Sequence, residues 1–219
     1  MLLSTLLFAT AALAHAVSGS DQAYIQTTTG PQVAAFLYLG AKHMVTGYDH
    51  LLFLFGVIFF LYRMKDVAVY VTLFALGHSI TLIAGVLSGT HVSTYAVDAI
   101  IGLSVVYKAL DNLDAFPRWL GFQPNTKVVV LIFGLFHGLG LATKLRRLSL
   151  SPDGMLVNLI SFNVGVEIGQ LLALAAMLIA MGYWRRTSSF TRNAINTNVA
   201  LMIAGFVLVV YQFYAYFTL

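Results

Sequence analysis

The stretch HMVTGYDHLLFL, residues 43–54, places two histidines and an aspartate inside an apolar segment that continues to about Tyr62. An ionisable side chain near the centre of a bilayer costs roughly 2.5–3.5 kcal/mol on insertion scales, so such groups usually face the interior of a helix bundle. Carboxylates and neutral imidazoles are also ligands that divalent transition metals accept. The stretch therefore predicts an all-α, polytopic membrane helix bundle with a polar, metal-binding interior.

The composition of the chain supports a membrane protein. Of its 219 residues, 59% are hydrophobic and only 9% are charged, whereas soluble domains carry about 25% charged residues. A chain of this kind contacts membrane lipid, and its net charge of +4 requires no nucleic-acid partner. The sequence contains no cysteine, which excludes disulfides and thiolate ligands. Any bound metal must therefore be held by nitrogen and oxygen atoms.

The chain divides into three parts. Residues 1–17 form a short apolar segment that ends in the small-residue motif AHA at 14–16, as secretory signals do. We predict a signal peptide, with a retained helix as the alternative. Residues 18–32 form a polar lead-in, and residues 33–219 form a transmembrane domain of about six helices.

Six apolar segments are predicted to cross the membrane. The first is too long for one straight crossing, and Gly40 and Gly47 predict that it is interfacial in part or broken. The six segments run over residues 33–62, 67–87, 92–110, 128–142, 155–184 and 194–217.

Lysine and arginine residues predict the orientation. With the mature N-terminus outside, eight basic residues lie on the inner side and four on the outer side, which agrees with the positive-inside rule. The outer four are Lys42, Lys144, Arg146 and Arg147, and the last three form a cluster that runs against the rule.

His43 and His50 are seven residues apart, so their imidazoles share one face of a helix. Asp49 points about 100° away from His50 on an ideal helix. It joins the same metal only if the backbone bends near Gly47, and otherwise it orients an imidazole that binds the metal. The alternative interpretation is a pair of packing histidines with Asp49 as their hydrogen-bond partner.

Two further histidines lie in other segments. His78, in the motif Gly77-His78-Ser79, is either a metal ligand, a residue of the transport pathway or a hydrogen-bonding group between helices. His137 is surrounded by glycines that permit close helix approach, which would bring its ring to the centre of the bundle.

The fifth segment carries a polar stripe. Asn163, Glu167 and Gln170 are spaced i, i+4 and i+7, and such a stripe faces either the bundle interior or water. Glu167 is a candidate metal ligand, proton carrier or partner of a histidine. Asp98, in the third segment, has no obvious partner on its own helix and is predicted to bond across helices.

The chain resembles the HupE/UreJ family of bacterial membrane proteins, which is associated with nickel and cobalt uptake. The resemblance rests on His43-x5-Asp49-His50 followed by Leu51-Leu52-Phe53-Leu54, on Gly77-His78-Ser79, on Phe136-His137-Gly138, and on Phe162-Asn163-x-Gly165-x-Glu167. It implies a multi-pass protein of the inner membrane with a cleaved signal and about six helices. It also implies the metal ligands His43, Asp49, His50 and His137, and more loosely His78 and Glu167.

One position departs from the family pattern. Nickel-type members carry a second histidine and a carboxylate soon after the His-Gly of the fourth span, where this chain has Leu139-Gly140-Leu141-Ala142. The resemblance then implies fewer ligands on that helix, and Glu167 is a candidate to compensate.

These observations predict a permease for a divalent transition metal, with nickel or cobalt ahead of zinc. Two alternative functions stay open. One is a membrane-embedded metal-dependent hydrolase, and the other is a metal-binding accessory protein that loads a partner enzyme. A catalytic zinc needs about three protein ligands and a water, which histidines and carboxylates on several helices could provide. An oligomer is compatible with the sequence.

Overall fold

The computed structural model describes residues 19–27, 29–90, 92–146 and 151–218, and the predicted signal segment, residues 1–17, lies outside them. The described residues form helices and no strands. In chain order the helices are α1 (Gly19–Thr27), α2 (Val33–Thr46), α3 (Tyr48–Ile58), α4 (Met64–Ser88), α5 (Thr94–Asn112), α6 (Ala115–Leu120), α7 (Thr126–Arg146), α8 (Met155–Trp184) and α9 (Ser188–Thr218).

The predicted all-α membrane bundle is confirmed. Four of the described helices, α4, α7, α8 and α9, are long and apolar enough to cross a bilayer. The predicted number of about six spans also counts α5, which has 19 residues, and the broken pair formed by α2 and α3, and it stays a prediction. That pair is interrupted at Gly47, whose extended backbone (φ −74°, ψ 102°) ends one helix and starts the next.

Glycines allow neighbouring helices of the bundle to pack closely against each other. The most extensive packing joins α2 to α8, α4 to α7 and α5 to α9. A methyl group on Gly138 would lie 2.1 Å from the carbonyl oxygen of His78, and one on Gly165 would lie 2.0 Å from the carbonyl oxygen of Leu37. Glycine at these positions lets the backbones touch, as small residues do in membrane helix pairs. The contact at Gly138 holds the helices of His78 and His137 side by side.

Two basic side chains form polar contacts between helices. Asp98 on α5 forms an ion pair with Lys144 on α7 (Oδ2 to Nζ, 2.9 Å), so the aspartate bonds across helices as expected. This pair also gives the discordant Lys144 a role inside the bundle. Arg185, just after α8, donates hydrogen bonds to the carbonyl oxygens of Ile58 and Phe59 and thereby caps the end of α3.

Candidate metal centre

Three side chains from two helices form the candidate metal centre. Asp49 and His50 on α3 and His137 on α7 each offer one ligand atom, and these three atoms all lie within 4.8 Å of one another. All three residues are buried, with at most 2% of their surface exposed. Buried carboxylates and imidazoles at this spacing match the donor set of a divalent transition metal. We refer to these three residues as the triad.

The missing side chain at Gly47 leaves room for the contact between Asp49 and His50. Oδ1 of Asp49 lies 3.0 Å from Nδ1 of His50, although adjacent residues of a regular helix point in different directions. A methyl group on Gly47 would lie 2.8 Å from Nδ1 of His50 and 3.2 Å from Oδ1 of Asp49. The carboxylate–imidazole contact therefore occupies space that only glycine leaves open.

The carboxylate of Asp49 also determines which nitrogen of His50 is available. A carboxylate accepts hydrogen bonds, so in the neutral imidazole Nδ1 carries the hydrogen and Nε2 keeps its lone pair. Carboxylates orient metal-binding histidines in this way and raise their basicity. Asp49 therefore has an atom within 4.8 Å of the ligand atoms of His50 and His137 and also contacts the ring of His50, so its role as ligand or orienting group stays a prediction.

His137 has an orienting partner that the sequence did not reveal. Oγ of Ser104 on α5 lies 3.3 Å from Nε2 of His137 and 2.6 Å from the carbonyl oxygen of Ile101. The single hydroxyl hydrogen is donated to that carbonyl, so Oγ accepts a hydrogen bond from Nε2 and Nδ1 keeps its lone pair. Serine is common in membrane helices, and only the contact between α5 and α7 marks this one.

The other two predicted histidines, His43 and His78, lie close to His50. Its ring centroid lies 4.8 Å from that of His137, 5.2 Å from that of His43 and 6.1 Å from that of His78. The structure therefore brings four histidines from α2, α3, α4 and α7 into one cluster, with His50 at its centre.

Aromatic side chains form the apolar wall of the cluster. The ring of His137 contacts those of Phe74 (4.9 Å between centroids) and Phe53 (5.7 Å), and Phe162 lies 6.0 Å from His43. An apolar wall of this kind lowers the local polarity and strengthens the interaction between a bound cation and its ligands.

The polar stripe of α8 is divided by the structure. Asn163 and Gln170 are both buried. The amide of Asn163 lies beside the ring of His78. The amide of Gln170 points at the carbonyl oxygen of Val71. Glu167 is exposed and lines an open groove of about 320 Å³ between α4 and α8. The structure thus places Glu167 outside the triad, and Asp98 is engaged with Lys144.

The sequence of the chain was compared with known families, curated proteins and solved structures. A sequence model of the family described as HupE / UreJ protein matches residues 19–219. No curated protein and no solved structure matches the chain significantly.

Proposed function

The chain belongs to the HupE/UreJ family, and from that premise we propose that it is a membrane permease for a divalent transition-metal cation, with Ni²⁺ or Co²⁺ favoured. The observation that carries the proposal is the triad, which joins one carboxylate and two imidazoles from α3 and α7 in a buried position. His137 lies near the middle of the long apolar helix α7. A cation bound there is far from both ends of that helix, as expected for a site on a transport route.

The geometry of the triad suits reversible binding. Asp49 and Ser104 each contact one nitrogen of the two imidazoles, as the orienting partners of metal-binding histidines do. Three protein ligands leave coordination positions for water, which keeps the cation from being held too tightly to leave. His43 and His78, whose rings lie 5.2 Å and 6.1 Å from that of His50, line the route of the hydrated cation.

The driving force follows from the charge of the substrate. The sequence has no nucleotide-binding motif, so transport uses the membrane potential or a proton gradient. Moving one charge inward is worth about 2.3 kcal/mol per 100 mV, and a divalent cation gains twice that amount. We place the mature N-terminus on the outer side of the bacterial inner membrane, in agreement with the distribution of basic residues.

The test is metal accumulation in cells that lack their own nickel and cobalt uptake, followed by flux into proteoliposomes. We expect His50→Ala and His137→Ala to abolish both, with unchanged amounts of protein in the membrane. Asp66→Asn is the control, because Asp66 is an exposed carboxylate in the first turn of α4. Accumulation at the wild-type rate in both histidine variants would refute the proposal.

The liposome experiment also separates the alternatives. A metal-binding accessory protein would bind Ni²⁺ with high affinity and give no flux. An embedded hydrolase would likewise give no flux, and its metal would be retained through repeated washing without chelator. Flux that saturates with Ni²⁺ or Co²⁺ and depends on the triad supports the permease.

A further inference from the structure

Two buried polar side chains beside the triad interact with each other but complete no hydrogen bond of normal geometry. His78 on α4 is 0% exposed and Asn163 on α8 is 6% exposed. Neither ring nitrogen of His78 and neither amide atom of Asn163 completes a hydrogen bond of normal geometry with another residue in the described parts of the chain. Unsatisfied buried polar groups are costly, and in native proteins they usually mark the place of a water, an ion or a ligand.

These two side chains face each other next to the triad. The amide of Asn163 lies beside the ring of His78, and that ring lies 6.1 Å from the ring of His50. Among the described residues, only the three members of the triad have ligand atoms that all lie within 4.8 Å of one another. His78 does not belong to this group. His78, with Asn163 beside it, therefore lies outside the triad and next to His50.

The chemistry of the cation explains what this layer contacts. The triad supplies three ligands. Ni²⁺ and Co²⁺ favour six ligands when these are nitrogen and oxygen, whereas Zn²⁺ in proteins favours four. A six-coordinate ion in this centre therefore keeps about three waters, and each of them carries hydrogens that need acceptors. The aromatic wall of the cluster provides none.

We propose that His78 and Asn163 accept hydrogen bonds from the water ligands of the cation that the triad holds. An imidazole nitrogen and an amide oxygen are both acceptors for such waters. The two residues thereby set the coordination number of the bound ion and favour six-coordinate Ni²⁺ and Co²⁺ over Zn²⁺. This inference rests on the proposed function and adds to it the basis of metal selectivity.

The coordination number is measured with Co²⁺ bound to the purified full chain in detergent or nanodiscs. Six-coordinate Co²⁺ absorbs visible light weakly, whereas four-coordinate Co²⁺ absorbs strongly and at longer wavelength. We expect the weak spectrum for the wild type and the strong spectrum for His78→Leu and Asn163→Leu. In these variants the affinity for Ni²⁺ should fall by about 10- to 100-fold relative to that for Zn²⁺.

Conservative variants separate hydrogen bonding from packing. His78→Gln and Asn163→Asp retain an acceptor, so they should keep the weak spectrum. Ser161→Ala is the matched control on α8, because Ser161 is buried near Asn163 but bonds to the carbonyl oxygen of Val157 in its own helix. We expect its spectrum to equal that of the wild type.

The outcomes separate this inference from the proposed function. A wild-type protein that holds Co²⁺ in a four-coordinate site, or leucine variants with the wild-type spectrum and selectivity, would overturn the inference and leave the permease intact. Failure of the wild type to bind Co²⁺ or Ni²⁺ would overturn the proposed function itself. If the leucine variants do not fold, X-ray absorption of Ni²⁺ in the wild type decides, since a six-ligand shell supports the inference and a four-ligand shell contradicts it.

Discussion

The hydroxyl oxygen of Ser104 lies 3.3 Å from Nε2 of His137, and this contact joins α5 to α7 at the level of the triad. Because the hydroxyl hydrogen is directed at the carbonyl oxygen of Ile101, the serine accepts a hydrogen bond from the imidazole. It therefore selects the tautomer in which Nδ1 of His137 keeps its lone pair. Asp49 does the same for His50 with the opposite nitrogen.

Removal of the Ser104 hydroxyl should weaken metal binding without unfolding the protein. In Ser104→Ala the ring of His137 loses its hydrogen bond to the serine, so this constraint on its tautomer is removed. We expect the affinity for Ni²⁺, measured by calorimetric titration, to fall by about 10- to 100-fold. The loss of one hydrogen bond costs only about 1 kcal/mol of stability. Ser104→Thr retains the hydroxyl and should restore most of the affinity; equal affinity in the alanine variant would contradict this role.

A side chain at Gly47 should disrupt the triad. In Gly47→Ala the new methyl group would lie 2.8 Å from Nδ1 of His50, so the imidazole and the carboxylate of Asp49 must separate. We expect Ni²⁺ affinity to fall by at least about tenfold, or about 1.4 kcal/mol. Gly182→Ala is the control, because no atom lies within 4 Å of its added methyl group and alanine favours a helix by about 0.8–1.0 kcal/mol. Wild-type affinity in Gly47→Ala would show that the contact is not required.

The ion pair between Asp98 and Lys144 should stabilise the contact between α5 and α7. Asp98→Asn removes the carboxylate charge from Lys144, whose side chain is 19% exposed. We expect the free energy of unfolding to fall by up to about 3 kcal/mol. This is the lower end of the range for breaking a buried pair, because Lys144 reaches solvent. The double variant Asp98→Asn with Lys144→Met should recover part of this loss. Thermal unfolding in detergent of both single variants and the double variant measures the coupling, and purely additive effects would argue against the pair.

Arg185 should stabilise the C-terminal end of α3. Its guanidinium donates to the carbonyl oxygens of Ile58 and Phe59 and lies 4.6 Å from the centroid of the Tyr62 ring. We expect Arg185→Met to lower the free energy of unfolding by about 1.5–3 kcal/mol, as hydrogen bonds from a charged group are lost. The neighbouring Arg186 is exposed, so Arg186→Met is the control and should leave the melting temperature unchanged.

The effect of Arg185→Met should also be independent of pH. Burial lowers the pKa of the Arg185 guanidinium, so its stability contribution changes only when alkaline pH approaches that lowered pKa. An arginine keeps its charge in proteins throughout the neutral range. The difference in melting temperature between the wild type and the variant should therefore be equal at about pH 6 and about pH 8. A difference that changes between these values would contradict the capping role of a permanent charge.

The sequence by itself determined the class of the protein and the residue types of its candidate site. Apolar segments of bilayer length require helices, because backbone groups in lipid must bond within their own segment. The absence of cysteine restricted the ligands to nitrogen and oxygen. The seven-residue spacing of His43 and His50 and the glycine between them predicted a shared face and a bend at Gly47, which are local properties of the chain.

Only the tertiary structure decided which polar side chains meet. His137 reaches His50 because glycine contacts set the depth of α7 against α4, and Ser104 reaches His137 because α5 packs on α7. Glu167 lies about 40° around α8 from Asn163, and this rotation is enough to leave Asn163 buried and Glu167 in the open groove. Such contacts depend on the packing and rotation of whole helices, which no spacing within a single segment specifies.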